Sequence, residues 1–348
     1  MRVLFLTLYP DQAASPRYRV HQFIPYLESR GIECAVRAPM SNAEWSRLTG
    51  PNRRGRAFWY HARETPARLM QILSAGRYDV VFVQKALMTA YLRGMDRMLR
   101  ERARKLVYDI DDAVHLSPPH PLRGLWKRWE DPEQGYKMMW NADLVLTGNA
   151  WLEEEATNAG TLSEYFPTVV DTDRFVPSPE SPAQFQVGWM GSPSTASSLH
   201  LIGDALAVLR PGELTVAGAD PKQLHSIKAQ VVPWRYDTEV PLIQQFSVGV
   251  MPLPRDEWSR GKCALKALQY MACGVPCIAT PHGAVLDIIR HGENGWFAET
   301  EAEWRDALAA MRDPALRRRL GDAARATVDG QYSLRKAAPR LADLLEAL

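Results

Sequence analysis

Short apolar runs and amphipathic stretches take turns along most of this chain. Arg2–Leu8 is almost wholly apolar and reads as a buried strand, and Arg17–Arg30 carries apolar residues at helical spacing up to Gly31. Ile32–Arg37, Val80–Gln84 and Leu106–Ile110 read as further strands, with a helix near Thr89–Arg102. Glu133–Asn141 is predicted helical, Leu144–Thr147 a strand and Trp151–Asn158 a helix. Past Val176 the pattern lapses into PSPESPAQF, whose three prolines are linker chemistry. Alternation restarts at Gln186–Met190 and runs to Phe297, and three helices follow: Glu301–Arg312, Pro314–Val328 and Leu334–Leu348. Strands without polar alternation, separated by helices, predict an α/β chain with parallel sheets.

The most informative stretch is SRGKCALKALQYMACGVPCIAT, from Ser259 to Thr280. Ala264, Leu265, Leu268, Met271 and Ala272 predict a helix from about Cys263, which Gly274 ends before Pro276. Cys277–Thr280 reads as a short buried strand. Arg260 and Lys262 flank Gly261 just ahead of the helix, and Lys266 lies one turn on. Cations beside a glycine at a helix N-terminus suit an anion, because free N–H groups and the positive dipole end point at it. The other reading of the same residues is a surface loop with solvated cations.

LKALQYMACGVPCIAT resembles the nucleotide-sugar-binding helix and strand of retaining GT-B-fold glycosyltransferases, glycosyltransferase family 4 (glycosyl transferases group 1). Gly188–Ser192 resembles the first strand and glycine turn of the same donor domain. Residues 142–149 and 166–175 resemble the end of the acceptor domain and the interdomain linker, and IRHGENGWF (289–297) the family's usual tail. The resemblance implies two doubly wound Rossmann-like domains facing across a cleft. Residues 1–170 would be the acceptor side and 171–330 the donor side, with the helix 331–348 crossing back. It implies a nucleotide-diphosphate sugar as substrate, with no cofactor and no metal. Gly191, Ser192, Gly261, Cys263, Lys266 and Gln269 become donor-binding candidates. Lys262 and Arg260 would stabilise the departing diphosphate.

In open α/β sheets ligands sit at the carboxyl ends of the strands. After the first strand comes Ser15-Pro16-Arg17-Tyr18-Arg19, where the family often has a glycine-rich turn. Ser15 is expected to cap a helix that starts at Pro16. Arg17 and Arg19 in a first turn run against the dipole preference, so they are candidates for a phosphate contact or a solvated pair. Asp109, Asp111 and Asp112 follow a buried strand. Asp109 and Asp111 would share a face and fit an Asp-x-Asp metal motif, but the resembled family uses cations instead. Asp111 stands where many relatives carry a sugar-contacting His, which makes it a catalytic candidate that orients acceptor or donor hydroxyls. Asp112 is a candidate for acceptor or phosphate binding, and both could instead cap the next segment. The family's two glutamates are absent: their positions hold Gly261 and Gln269, and Gln269 can still bond ribose hydroxyls. No cation follows Gly191-Ser192.

Composition refines this picture. The 348 residues are 46% hydrophobic and 24% charged, enough for two ordinary cores. Four scattered cysteines suit a reducing compartment, and the opening run is too short for a signal peptide, so a cytoplasmic location is expected. Residues 1–108 hold 19 Lys and Arg against 8 Asp and Glu, while the rest holds 23 against 32. An anionic partner for the basic half, or attraction between the halves, would account for that asymmetry. Trp45–Leu73 interleaves Arg47, Arg53, Arg54, Arg56, Arg63 and Arg68 with Trp45, Phe58, Trp59 and Tyr60. This suits an anionic membrane face or an acceptor flap, and nucleic acid less well. The expectation is a metal-independent transferase acting on a glycan, lipid-linked or other small acceptor in cell-envelope polysaccharide, glycolipid or glycoconjugate synthesis. The alternatives are a catalytically weak nucleotide-binding relative that partners an active enzyme, and a basic nucleic-acid-binding module.

Overall fold

A computed structural model describes residues 1–49, 56–180 and 182–348. It divides into two compact units. The first gathers Met1–Thr168 with Gly261–Cys263 and Lys336–Leu348, and the second holds Val169–Arg260 and Ala264–Arg335.

Six strands build the first unit: β1 (Arg2–Thr7), β2 (Glu33–Arg37), β3 (Val80–Gln84), β4 (Lys105–Ile110), β5 (Leu144–Thr147) and β6 (Ser163–Tyr165). They form one parallel sheet in the order β2-β1-β3-β4-β5-β6. Phe5, Val81, Phe82, Val107, Tyr108 and Val145 are at most 1% exposed. Burial on both faces explains why these strands read as unbroken apolar runs. The C-terminal helix Leu334–Glu346 contributes buried Leu341, Ala342 and Leu345, and within this unit its Arg340 pairs with Glu164.

The second unit repeats the plan with β7 (Val187–Met190), β8 (Leu214–Ala217), β9 (Gln230–Val232), β10 (Val248–Met251), β11 (Cys277–Ala279) and β12 (Trp296–Phe297). The order is β12-β11-β10-β7-β8-β9, again parallel. Trp189 and Trp304 are buried in its core with Val216, Val250, Ile278 and Leu320. In both sheets the strand order reverses beside the first strand, between β1 and β3 and between β7 and β10. That reversal opens a crevice at the carboxyl ends of those strands.

Two helices depart from expectation. The predicted helix Arg17–Arg30 is three pieces: Ala14–Arg19, a 3₁₀ turn at His21–Phe23, and Ile24–Ser29. Val20 leaves helical geometry, and Pro25, in the first turn of the last piece, has no N–H with which to continue an earlier one. The predicted helix Thr89–Arg102 is confined to Met95–Arg102. Thr89 is withheld because its N–H (2.8 Å) and hydroxyl (2.5 Å) both donate to buried Glu64.

The connection after β4 is anchored by His115, 1% exposed, whose ring lies 5.3 Å from those of Tyr136 and Trp151. Burial pushes its pKa down to about 4. The unfolded chain therefore takes up a proton near pH 6.5 that the folded chain refuses until about pH 4, and stability falls as pH drops through that window. We expect a loss of about 3 kcal/mol between pH 7 and 4 from this group. Urea melts of the wild type and His115→Phe should differ in slope across that range. Parallel profiles would remove His115 from the acid response.

Candidate active site

In the first unit, polar side chains collect where the sheet reverses. Ser15 Oγ donates to Asp111, and Gln84 Nε2 donates to Ser15 Oγ (2.6 Å) and to Asp111 Oδ1 (3.3 Å). Lys85, the first residue after β3, donates to Asp112 Oδ2 at 2.7 Å. Burial opposes the Lys85 ammonium, but Asp112 and Asp111 more than offset this and hold its pKa above the ordinary value. Asp111 is thus a half-buried carboxylate held by two neutral donors, in the crevice where a ligand is expected. Gln84 and Lys85 were not singled out from the sequence. The signal was there, since two polar residues end the otherwise apolar run VVFVQK.

Two expectations need correction here, at Ser15 and Arg19. Ser15 is not a cap: the helix begins at Ala14 with Ala13 before it, and the Ser15 hydroxyl is spent on Asp111. Arg19 is not available to a phosphate. It is 2% exposed, its Nε donates to Asp109 Oδ2 at 3.1 Å and its Nη1 to the Phe166 carbonyl at 2.8 Å. Asp109 is therefore its fully buried counterion, not half of a metal motif with Asp111. Asp112 is engaged by Lys85, and a carboxylate so placed would repel a phosphate. Arg17 remains half-buried, with its guanidinium 5.7 Å from the Tyr18 ring centroid.

Gly261, Lys262 and Cys263 pack as part of this first unit. A Cβ on Gly261 would lie 2.5 Å from the Ala113 nitrogen, so only glycine fits. The Lys262 carbonyl accepts from Asn149 Nδ2 at 3.4 Å, and the residue is half-buried with no ion pair among the described residues. Cys263 Sγ donates to the Asp111 carbonyl at 3.2 Å, and burial pushes its thiol pKa well above the ordinary value.

The second unit assembles the other candidates. Gly191 follows β7, and Lys266 folds against it: a Cβ on Gly191 would meet Lys266 Cε at 2.9 Å and the Trp189 ring at 2.6 Å. The Lys266 ammonium lies 4.4 Å from the Trp189 ring centroid and 3.4 Å from Thr195 Oγ1. Ser192 shares a 2.8 Å hydroxyl contact with Ser194 as the 3₁₀ helix Pro193–Ile202 begins. This places a cation, three hydroxyls and a bare glycine at the end of β7, beside the reversal. Trp189 and Thr195 were missed, because a tryptophan in an apolar strand looks like core.

The helix carrying Lys266 runs Leu265–Ala272, after Ala264 at φ +51°. Lys262 therefore lies off the helix and shares no helical face with Lys266. Arg260 ends a separate short helix, Glu257–Arg260, where a cation also suits the dipole. Gln269 is only 4% exposed, which leaves little of it for a ribose hydroxyl. Arg235 pairs with Asp237 at 2.9 Å, and the Arg174 guanidinium carbon lies 3.8 Å from the Tyr236 ring centroid.

The basic aromatic segment changes most. It holds the helices Asn42–Thr49 and Arg56–Ser74. Arg53 and Arg54 lie outside the described residues. Arg68 is fully buried and donates to the Thr7 carbonyl at 2.6 Å, Tyr60 is buried, and Arg63 pairs with Glu44 at 2.9 Å. Phe58 and Trp59 do face solvent. Among the described residues no helix is long and apolar enough to cross a membrane.

The two parallel six-stranded sheets with their helices define the α/β fold of GT-B glycosyltransferases. Residues 184–313, which carry the Gly191 turn and the 260–266 cations, match the family model described as Glycosyl transferases group 1. N-acetyl-alpha-D-glucosaminyl L-malate synthase of Bacillus anthracis is 37% identical over 75 residues, a match spanning 21% of this chain and 20% of that protein. Among solved structures, HepE of Anabaena in complex with UDP-glucose superimposes with a TM-score of 0.73 at 15% identity, over 100% of both chains. Sucrose-phosphate synthase of Thermosynechococcus elongatus gives 0.73 at 15% identity, over 100% of this chain and 99% of that one. The family match is confined to residues 184–313, the solved structures share the fold of the whole chain, and neither favours the partner-protein or nucleic-acid alternatives.

Proposed function

We propose that this protein is a retaining, metal-independent glycosyltransferase that moves a sugar from a nucleotide-diphosphate sugar to an acceptor of cell-envelope polysaccharide, glycolipid or glycoconjugate synthesis. The observation that carries the reading is the end of β7, where the missing side chain of Gly191 lets Lys266 and Trp189 pack against the turn within the segment that matches the family. Arg260, Lys262 and Lys266 supply positive charge for the departing diphosphate. Asp111, oriented by Ser15 and Gln84, is assigned to a sugar or acceptor hydroxyl. No side chain is assigned as a nucleophile. The acceptor oxygen bonds the anomeric carbon on the face from which the diphosphate departs, and the leaving phosphate takes the acceptor's proton, so the sugar's configuration is kept.

HepE is known in complexes with UDP, with UDP and glucose, and with UDP-glucose, so uridine donors come first in a screen. We expect one nucleoside diphosphate to raise the melting temperature, by an amount that grows with the logarithm of its concentration. The matching nucleotide sugar should then be slowly hydrolysed, with retained configuration in the released sugar's first NMR spectrum. No stabilisation by any nucleoside diphosphate would overturn the donor assignment. An inverted product would overturn the stereochemistry alone.

A further inference from the structure

The connection from β4 to the helix Gln134–Asn141 carries Asp111 and Asp112 at its start and then rises into an exposed tip. The tip is a 3₁₀ turn, Gly124–Trp129, reading GLWKRW. Leu125, Trp126 and Trp129 are 84%, 64% and 54% exposed, and Arg123, Lys127 and Arg128 are exposed between them. No acidic residue occurs between Asp112 and Glu130. Large apolar side chains normally leave water, and here three stand in it among three cations.

The base of this tip is built. Buried Glu130 accepts from the Leu122 N–H at 2.9 Å, Arg93 N–H donates to the Trp129 carbonyl at 3.0 Å, and Asp131 N–H donates to the Tyr91 carbonyl at 2.6 Å. His120 N–H donates to the Thr89 carbonyl at 2.8 Å. These bonds tie the tip to the neighbouring connection after β3. The exposed aromatics are therefore presented by an ordered stalk that rises from the ligand-binding edge of the sheet.

We propose that Arg123–Trp129 is a membrane-docking tip that inserts Leu125, Trp126 and Trp129 into the headgroup region of an anionic bilayer while Arg123, Lys127 and Arg128 meet the lipid phosphates. Tryptophan, leucine and cations on one short element are the side chains that the bilayer interface favours. The charge complementarity is one-sided, since no carboxylate of the tip opposes an anionic surface. It also differs from the surface expected at residues 45–73, where Arg68 and Tyr60 are buried and Arg63 is paired. Docking stands on this geometry alone. That it holds Asp111 near a lipid-linked acceptor rests on the transferase reading.

The test is sedimentation of the full-length protein with vesicles of phosphatidylglycerol and phosphatidylcholine, against phosphatidylcholine alone. We expect binding to the anionic vesicles, weakened by salt, and at least about a tenfold loss in the double variant Trp126→Glu/Trp129→Glu. Brominated lipid should quench part of the wild-type tryptophan fluorescence and less of the variant's. The tip is exposed, so the variant should keep its melting temperature and its nucleoside diphosphate shift. That readout separates failed docking from failure of the donor assignment. Equal sedimentation with both vesicle types, or unchanged binding by the double variant, overturns the proposal. So does loss of binding on Trp59→Glu with the tip variant unaffected, or binding to single-stranded RNA without binding to vesicles.

Discussion

Replacing Lys262 by alanine should slow sugar transfer by roughly 10²-fold or more while leaving the fold intact. The residue is half-buried and has no ion pair among the described residues, so its removal orphans no carboxylate there. The positive charge can meet an anion that the described residues do not supply. If that anion is the leaving diphosphate, the interaction grows as the glycosidic bond breaks and charge gathers on the phosphate. Its loss then falls on the chemical step more than on donor binding. Single-turnover rates at saturating donor are the measurement. A variant as fast as the wild type would remove Lys262 from the reaction. A raised KM with unchanged kcat would make it a binding residue only.

Arg19→Met should cost about 3–5 kcal/mol of stability. Asp109 is fully buried, and burial pushes its pKa up to about 6 even with the guanidinium against it. Without Arg19, that carboxylate must be protonated in place or drag water into the core. The Phe166 carbonyl loses its donor as well. Urea unfolding at pH 7 should show a lower midpoint with a similar slope. The double variant Arg19→Met/Asp109→Leu should recover much of the loss, because it removes both charges together. A single variant as stable as the wild type would mean that water already reaches the pair.

How far the fold and the site are legible in the sequence depends on the kind of signal each residue carries. Apolar runs such as VVFVQ and LVLT needed no partner to be read as buried strands, and they are strands at the expected residues. Charged residues were harder. Arg19, Arg68 and Asp109 look like surface chemistry in one dimension, yet each is at most 2% exposed. What buries them is a partner far along the chain: Asp109 for Arg19, the Thr7 carbonyl for Arg68. Periodicity carries no information about such pairs. The Gly191 turn and the Lys266 helix were legible as separate motifs, whereas their packing through Trp189 was not. The exposed tip at Gly124–Trp129 was passed over because tryptophan and leucine suggest a core unless their surroundings are known.

The four thiols give each unit a clock. Cys263 is buried in the first unit, Cys273 and Cys277 in the second, and Cys34 is half-buried. Burial pushes the Cys273 pKa up to about 12 and the Cys34 pKa up to about 11, so both are protonated at neutral pH. A thiol reagent can modify the native buried sites only when the surrounding structure opens. Labelling rates followed cysteine by cysteine by mass spectrometry therefore time the opening of the two units separately. A nucleotide that protects Cys273 and Cys277 while leaving Cys34 unchanged would report where it binds without any measurement of turnover.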